Sequence, residues 1–362
     1  MPFTDSLLAW HAQHRRDLPW KNTQDPYAIW LSEIILQQTR VAQGLPYYER
    51  FLAAFPTVRH LADAAADEVM RLWEGLGYYS RARHLHQSAQ YIAYELGGNF
   101  PHTYETIRQL KGVGDYTAAA IASFAFGLPY AVIDGNVYRV LARVFGIDTP
   151  VDTTAGKQQF AQLAQSLLPR HRPADFNQAM MDFGATCCTP TQPDCPRCPL
   201  SGECRAYERG ITAQLPVKSK KTIRNERYFT YLVLRLPPNN AVWIVQRTQK
   251  DIWQNLYEFP MIASDESLPN IAQLQTHTLW QQWLGSAVVS VIGLSAVYTQ
   301  LLTHRTVKAQ FCEIIVQEYA TMTQLPLGKA VDWEDLDQYA FPKIIKQYRQ
   351  ECNKNAVQSK LF

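Results

Sequence analysis

The sequence predicts a chain of two domains, an all-α domain of about the first 210 residues followed by an α+β domain. Three observations lead there. Apolar residues recur at helical spacing through residues 1–186. Five of the seven cysteines then crowd into residues 187–204. From residue 228 onward the pattern turns to strand-like runs. A length of 362 residues suits two ordinary domains. With 47% hydrophobic and 19% charged residues, the composition is globular rather than disordered.

The helical part is read from "PYAIWLSEIILQQTRVAQ", "RARHLHQSAQYIAYELGG" and "TAAAIASFAFG", separated by the turn signals "FPT", "GLGYY", "GGNFPHT", "KGVG" and "IDTPVD". The first twenty residues hold Asp5 and the run His14-Arg15-Arg16 and lack the apolar core of a secretory signal. No apolar run is long enough to cross a bilayer. The expectation is a cytoplasmic protein away from membranes, where clustered cysteines are metal ligands rather than disulfides.

Charge is concentrated rather than general. Residues 1–210 carry 19 basic and 20 acidic side chains, and residues 228–362 carry 11 of each. Residues 211–227 hold Lys218, Lys220, Lys221, Arg224 and Arg227 against Glu226. This polar, basic stretch reads as a linker, and a nucleic-acid partner must be held by it and by local geometry. Beyond it, "YFTYLVLRL" and "AVWIVQRT" read as strands joined through "PPNN", with further strands in "SVIGLSAVYT" and "TVKAQFCEIIVQ". Helical patterns stand at "IAQLQTHTLWQQWLG" and "YAFPKIIKQYRQ", and residues 352–362 read as a polar tail. The expected boundaries are therefore 1–210, 211–227, 228–351 and 352–362.

The cysteines follow C-x6-C-x2-C-x5-C: Cys188, Cys195, Cys198 and Cys204. Four thiolates in one proline-stiffened loop suit either a tetrahedral zinc or a cubane iron–sulfur cluster. A single C-x2-C with long arms on both sides favours the larger group. Cys187 is left over, either as a free thiol or as an alternative first ligand.

Two carboxylates lie upstream. Glu33, in "WLSEIILQQTRV", shares a helical face with Ile29 and Leu36, so burial should raise its pKa and keep a proton on it near neutral pH. Asp134, in "VIDGNV", stands where a helix should begin, and the helix amides should keep it ionised. Between them, "LKGVGDYTAAAIASF" places Gly112 and Gly114 in a tight turn before a helix, with Asp115 near its N-cap. Both glycines are expected to free the backbone, and the turn offers amides to a phosphate. A protonated carboxyl and an ionised carboxylate together suit cleavage of a glycosidic bond.

The cysteine spacing just after an all-helical domain resembles the cluster loop of the helix–hairpin–helix DNA glycosylases. That resemblance implies a [4Fe–4S] cluster on Cys188, Cys195, Cys198 and Cys204, structural or DNA-positioning rather than catalytic. Within that superfamily two branches differ. The lyase branch of endonuclease III type carries a lysine after the hairpin, where "GVGDYT" has Tyr116. It also ends soon after its cluster, whereas roughly 150 residues follow here. "SEIILQQTRV" matches the adenine DNA glycosylases instead.

The match to that family implies Glu33 as general acid, Asp134 as electrostatic or covalent partner, and Tyr116 against the sugar. It implies Arg16, Trp20, Leu36 and Gln178 around the adenine, with Gln38 and Tyr78 as wedges in the base stack. The C-terminal domain resembles the Nudix-like recognition domain of the family through "WQNLYEFP", but lacks the Nudix catalytic box. Thr303 and His304, in "QLLTHRTV", stand where the family recognises 8-oxoguanine, with Leu302 replacing an aromatic. The implied partner is double-stranded DNA with adenine opposite 8-oxoguanine or guanine, met by a monomer with no lyase lysine. The alternatives are a glycosylase for another mispair, such as thymine opposite guanine, and a lesion-binding scaffold without catalysis.

Overall fold

The structure, a computed structural model, describes residues 2–219, 225–238, 240–285, 287–302, 304–317 and 324–358. Two compact units form. One comprises Met1–Asp63 and His84–Lys221, the other Ala64–Arg83 and Thr222–Phe362.

The helices in chain order are α1 (Pro2–His14), α2 (Pro26–Leu36), α3 (Val41–Ala54), α4 (Val58–Asp63), α5 (Ala66–Trp73), α6 (Ser80–Gln90), α7 (Tyr104–Arg108) and α8 (Asp115–Phe126). There follow α9 (Gly135–Phe145), α10 (Thr154–Leu167), α11 (Pro173–Thr186) and α12 (Arg205–Glu208). All but α5 and the start of α6 belong to the first unit.

α2 is its central helix: Tyr27 to Ile35 are all buried. A helix apolar on every side belongs in a core. Pro26 starts it, and the Asp25 side chain accepts from the Tyr27 N–H. Alanines 118–120 and 122 make the face of α8 small enough to lie close against α2. A second core gathers α1, α9, α10 and α11 around Leu7, Val140, Leu141, Phe160, Phe176 and Phe183. Each buried phenylalanine there contributes roughly 1.5–3 kcal/mol.

Two expectations for this part change. "PYAIWLSEIILQQTRVAQ" is not one helical run: α2 ends at Leu36, and α3 starts at Val41. The backbone leaves the helix at Gln37 (ψ 114°) and turns left-handed at Gln38 (φ +56°), while the Gln37 side chain bonds Thr117 and the Gly112 carbonyl. The stretch 211–227 is not wholly linker either. Leu215 is buried, the Val151 N–H donates to the Val217 carbonyl at 3.0 Å, and Ser219 bonds Asp152. Apolar side chains within the basic stretch thus seat its first half on the helical unit. Lys220, Lys221 and Arg224 lie outside the described residues.

Among the described residues the second unit has eight strands: β1 (Asn225–Leu236), β2 (Ala241–Gln246), β3 (Tyr257–Glu258), β4 (Met261–Ser264), β5 (Val289–Leu294), β6 (Tyr298–Leu301), β7 (Arg305–Val316) and β8 (Gly328–Asp332). β1 and β7 pair in parallel from Asn225↔Arg305 to Arg235↔Ile315, and the other pairs are antiparallel. Alternation along β1 sends Leu232, Leu234 and Leu236 to α13 (Ile271–Thr276) and α14 (Thr278–Leu284). Tyr231 faces the other way, stacked on Phe311, which in turn stacks on Tyr348 of α15 (Lys343–Gln358). Trp253, Leu256 and Phe259 of the "WQNLYEFP" segment are core residues, and its Glu258 pairs with Arg247.

β1 begins at Asn225 rather than 228. α15 continues to Gln358, so residues 352–358 are helical rather than a loose tail. The segment 64–83, expected in the helical domain, packs with the second unit. Asp67 meets the Tyr257 hydroxyl at 3.3 Å, Glu74 takes the Phe341 N–H and Lys346, and Arg83 donates to the Gln254 carbonyl. No helix among the described residues is long and apolar enough to cross a membrane.

Candidate active site

The hairpin between α7 and α8 is fixed at both ends. Thr103 caps α7, and Ser88 donates to the Lys111 carbonyl at 3.1 Å. Gly112 takes φ +80°, and a Cβ there would lie 2.9 Å from the His84 Cβ. Gly114 is extended, with φ −98° and ψ −176°, and serves as N-cap of α8. The conformational need for glycine is therefore at Gly112 alone, a correction to the expectation for the pair. Gly114 instead leaves bare backbone facing a cleft, with nothing within 4 Å of where its Cβ would be. Asp115 is the first residue of α8 and pairs with Arg108.

That cleft has a volume of about 930 Å³. Glu33, Leu36 and Gln38 line it from α2 and its end, Gly114 and Tyr116 from the hairpin, and Asp134 from the start of α9. The two carboxyl groups thus open onto one space. Glu33 is 5% exposed. Burial pushes its pKa up to about 7, and the nearby charge of Asp134 adds to the effect. The Tyr116 hydroxyl, itself held protonated by burial and by Glu33, donates a hydrogen bond to Glu33 and partly offsets the rise.

Asp134 is the N-cap of α9: Oδ1 accepts from the Val137 N–H at 2.8 Å and Oδ2 from the Asn136 amide at 2.7 Å. Burial raises its pKa above the ordinary value, and these donors pull it back. The amides alone therefore do not set its titration, contrary to the sequence expectation. Both bonds nonetheless favour the ionised form. One carboxyl that keeps a proton to neutral pH faces another that is supported as an anion. This is the pairing needed to protonate a leaving group and oppose a developing cation.

The remaining predicted residues divide. Leu36 and Gln38 stand on the cleft wall, and Gln38 has a left-handed backbone, φ +56°. Tyr78, in the second unit, is also left-handed at φ +49° and exposed. Such backbone is uncommon for side chains other than glycine and is enriched at functional sites. Arg16, Trp20 and Gln178 are not on the cleft wall. Arg16 donates through Nε to Asp182 at 2.6 Å, and Trp20 packs edge-on against Tyr48.

Sequence reasoning missed the cluster that holds Arg16. Asp182, fully buried, also takes Lys21 Nζ at 2.6 Å and lies 3.1 Å from His11 Nε2. The signal available was the carboxylate in "FNQAMMDFGA", where attention went to Gln178. Gln37 and Asn177 were missed in the same way. His304 is exposed in the turn between β6 and β7, its carbonyl accepting from the Asn225 N–H. Thr303 lies outside the described residues.

Cys188, Cys195, Cys198 and Cys204 ring one hollow, together with Cys187, Arg143 and Leu200. Arg143, from α9, donates to Cys188 Sγ at 3.4 Å and to the carbonyls of Thr189 and Pro190. Arg139 binds the carbonyls of Cys188 and Gly184. A hydrogen bond from Cys187 pulls the Cys198 thiol down, burial opposing and the Leu200 N–H assisting. Cys187 is thus engaged with the cluster loop, its own thiol pushed up by that bond. Among the described residues no three His, Cys, Asp or Glu are gathered as for a single metal ion. Four soft thiols around a hollow, with guanidinium and amide donors behind them, fit a larger cluster.

Residues 31–169 match the family model of the HhH-GPD superfamily base excision DNA repair proteins, and residues 230–351 match the NUDIX domain. An adenine DNA glycosylase of Homo sapiens is 49% identical over 381 residues, spanning 90% of this chain and 69% of that protein. One of Mus musculus is 34% identical over 395 residues, spanning 95% and 76%. Among solved structures, a thermostable thymine-DNA glycosylase is similar at a TM-score of 0.54 and 32% identity, over 57% of this chain and 95% of that one. An endonuclease III in a non-covalent complex with DNA has a TM-score of 0.51 at 20% identity, over 58% and 95%, a likeness of fold alone.

Proposed function

The chain belongs to the adenine DNA glycosylase family of base-excision repair, and from that premise we propose that Glu33 and Asp134 excise adenine opposite 8-oxoguanine or guanine. The observation that carries this reading is the shared cleft, in which burial keeps a proton on Glu33 while Asp134 accepts two hydrogen bonds. Glu33 donates its proton to N7 of the extruded adenine. The C1′–N9 bond then breaks with its electron pair leaving on the base, and the cationic sugar faces Asp134. Water adds to C1′ and loses a proton, leaving an abasic site. Tyr116 orients Glu33 and stands beside the sugar. With a phenol where the lyase branch has its amine, no imine forms by that route.

Leu36 would pack against the base. Gln38 and Tyr78, each with a left-handed backbone, would each act as a wedge in the base stack. The amides around Gly112 and Gly114 would take a DNA phosphate. His304, in the β6–β7 turn, would read 8-oxoguanine, and Thr303 would share that role. Cys188, Cys195, Cys198 and Cys204 would hold a [4Fe–4S] cluster, as such glycosylases generally do. Bound there, it would stiffen the loop rather than take part in hydrolysis.

A second reading, excision of thymine opposite guanine, draws on the likeness to the thymine-DNA glycosylase. Duplexes carrying adenine opposite 8-oxoguanine, adenine opposite guanine, or thymine opposite guanine, incubated with the protein and then treated with alkali, separate the two. Strand scission at adenine, fastest opposite 8-oxoguanine, is expected. Scission only at thymine would replace this reading, and none at any pair would leave a binding scaffold.

A further inference from the structure

We propose that Asn177, assisted by Gln165, is a positioning residue that sets where Asp134 stands. This rests on the reading of Asp134 above. Residues 128–133 connect the left-handed Gly127 that ends α8 to the Asp134 that begins α9. They form no strand, and Pro129 has no N–H to offer. Two side-chain amides meet the backbone's needs instead.

Asn177 of α11 accepts from the Val132 N–H at 3.0 Å and donates to the Tyr130 carbonyl at 2.9 Å. Its second N–H reaches Ser123 of α8 at 2.9 Å. Gln165 of α10 accepts from the Ala131 N–H at 3.0 Å and donates to the Pro129 carbonyl at 2.8 Å. Each amide therefore joins a carbonyl and the N–H two residues on, as a neighbouring parallel strand would. The alternation of residues puts the two amides on opposite edges of the segment.

Asn177 is 1% exposed, and its loss takes the side-chain partner from the buried Val132 N–H and from the part-buried Tyr130 carbonyl. Two residues beyond Val132, the carboxylate enters the cleft. Its far side is fixed by α9, so this clamp governs the approach. The groups facing Asp134 are Glu33 from α2, Tyr116 from α8, and Asn136 and Arg139 from its own helix, with Lys157 from α10 on the same cleft wall. Loosening the approach weakens the two hydrogen bonds that support its charge.

The test is single-turnover excision of adenine from a duplex pairing it with 8-oxoguanine, measured across pH and normalised to folded protein. Because a displacement of about 1 Å costs up to about 100-fold, Asn177→Ala is expected to slow the reaction about 10- to 100-fold, and the exposed Gln165→Ala about 3- to 10-fold. In Asn177→Ala, affinity for a duplex carrying an uncleavable adenine analogue should change by less than about twofold, because the Asn177 amide is buried and off the cleft wall. The acidic limb of the pH–rate profile should move upward in both variants. Wild-type rates in both, or slower rates with an unmoved acidic limb, overturn the proposal. Should Asn177→Ala fail to fold, Gln165→Ala decides alone. Asp134→Asn separates the two levels: if it keeps the wild-type rate, the reading of Asp134 itself is wrong. If it is inactive while Asn177→Ala and Gln165→Ala are unimpaired, only the clamp fails.

Discussion

Glu33 owes its proton to the helix that carries it. α2 is buried on every side, so an ionised carboxylate there is poorly hydrated, with the Tyr116 hydroxyl as a hydrogen-bond donor. Excision should therefore slow as pH rises through about 7, because the general acid is lost in the folded protein. A pH–rate profile flat from 6 to 9 would contradict this. Stability carries the same signature. With its folded pKa raised from 4.5 to about 7, Glu33 favours the native state fully below 4.5 and loses that contribution as pH rises through 7. Glu33→Gln should thus be more stable than wild type at pH 8 by up to about 3 kcal/mol, with no such gain at pH 4. Thermal melts at the two pH values read it directly. The spacing of Ile29 and Leu36 made the burial of Glu33 legible in the sequence. The rise in the pKa of Asp134 was not, because it comes from tertiary burial rather than from its own helix.

At the scale of elements, the hairpin was legible because glycine spacing before a helix has few meanings, yet the two glycines do different work. Gly112→Ala must force a side chain into a left-handed backbone and against His84, at a cost of about 1–2 kcal/mol. Gly114→Ala meets open space and loses only the advantage of a glycine N-cap, at a cost under about 1 kcal/mol. Denaturant midpoints of the two variants check the contrast.

The buried cluster joining α1 to α11 was not legible, because its partners are up to 171 residues apart. Burial alone would raise the pKa of Asp182. Hydrogen bonds from His11, Lys21 and Arg16 outweigh it and hold the carboxyl well below the usual range. Its stabilising contribution is therefore present above about pH 4 and lost as pH falls through its folded pKa. Asp182→Asn, which strands the buried Lys21 charge, should cost about 3–5 kcal/mol at neutral pH. A loss under about 1 kcal/mol would show the cluster to be incidental. The break after α2 escaped notice for a similar reason: the partners of Gln37 lie 75 and 80 residues away.

For the whole molecule, the strand-like pattern read from residue 228 falls within β1, which begins at Asn225. What could not be read was the membership of Ala64–Arg83. An amphipathic helix displays the same periodicity whichever core it faces. Tyr79 and Glu74 meet Phe341, and Lys346 pairs with Glu74. Ending the chain at residue 219 should therefore leave Val69, Met70 and Trp73 poorly covered, giving a helical fragment that binds a hydrophobic dye and melts below the full chain. A fragment that melts like the full chain and binds no dye would show that segment 64–83 is stable without its strands.

The account turns on two acids acting on one nucleotide, and single-turnover kinetics of Glu33→Gln test it most directly. On a duplex with adenine opposite 8-oxoguanine, loss of the acid should slow excision by about 10²- to 10⁴-fold with DNA still bound. A Glu33→Gln protein that excises adenine at close to the wild-type rate would contradict it.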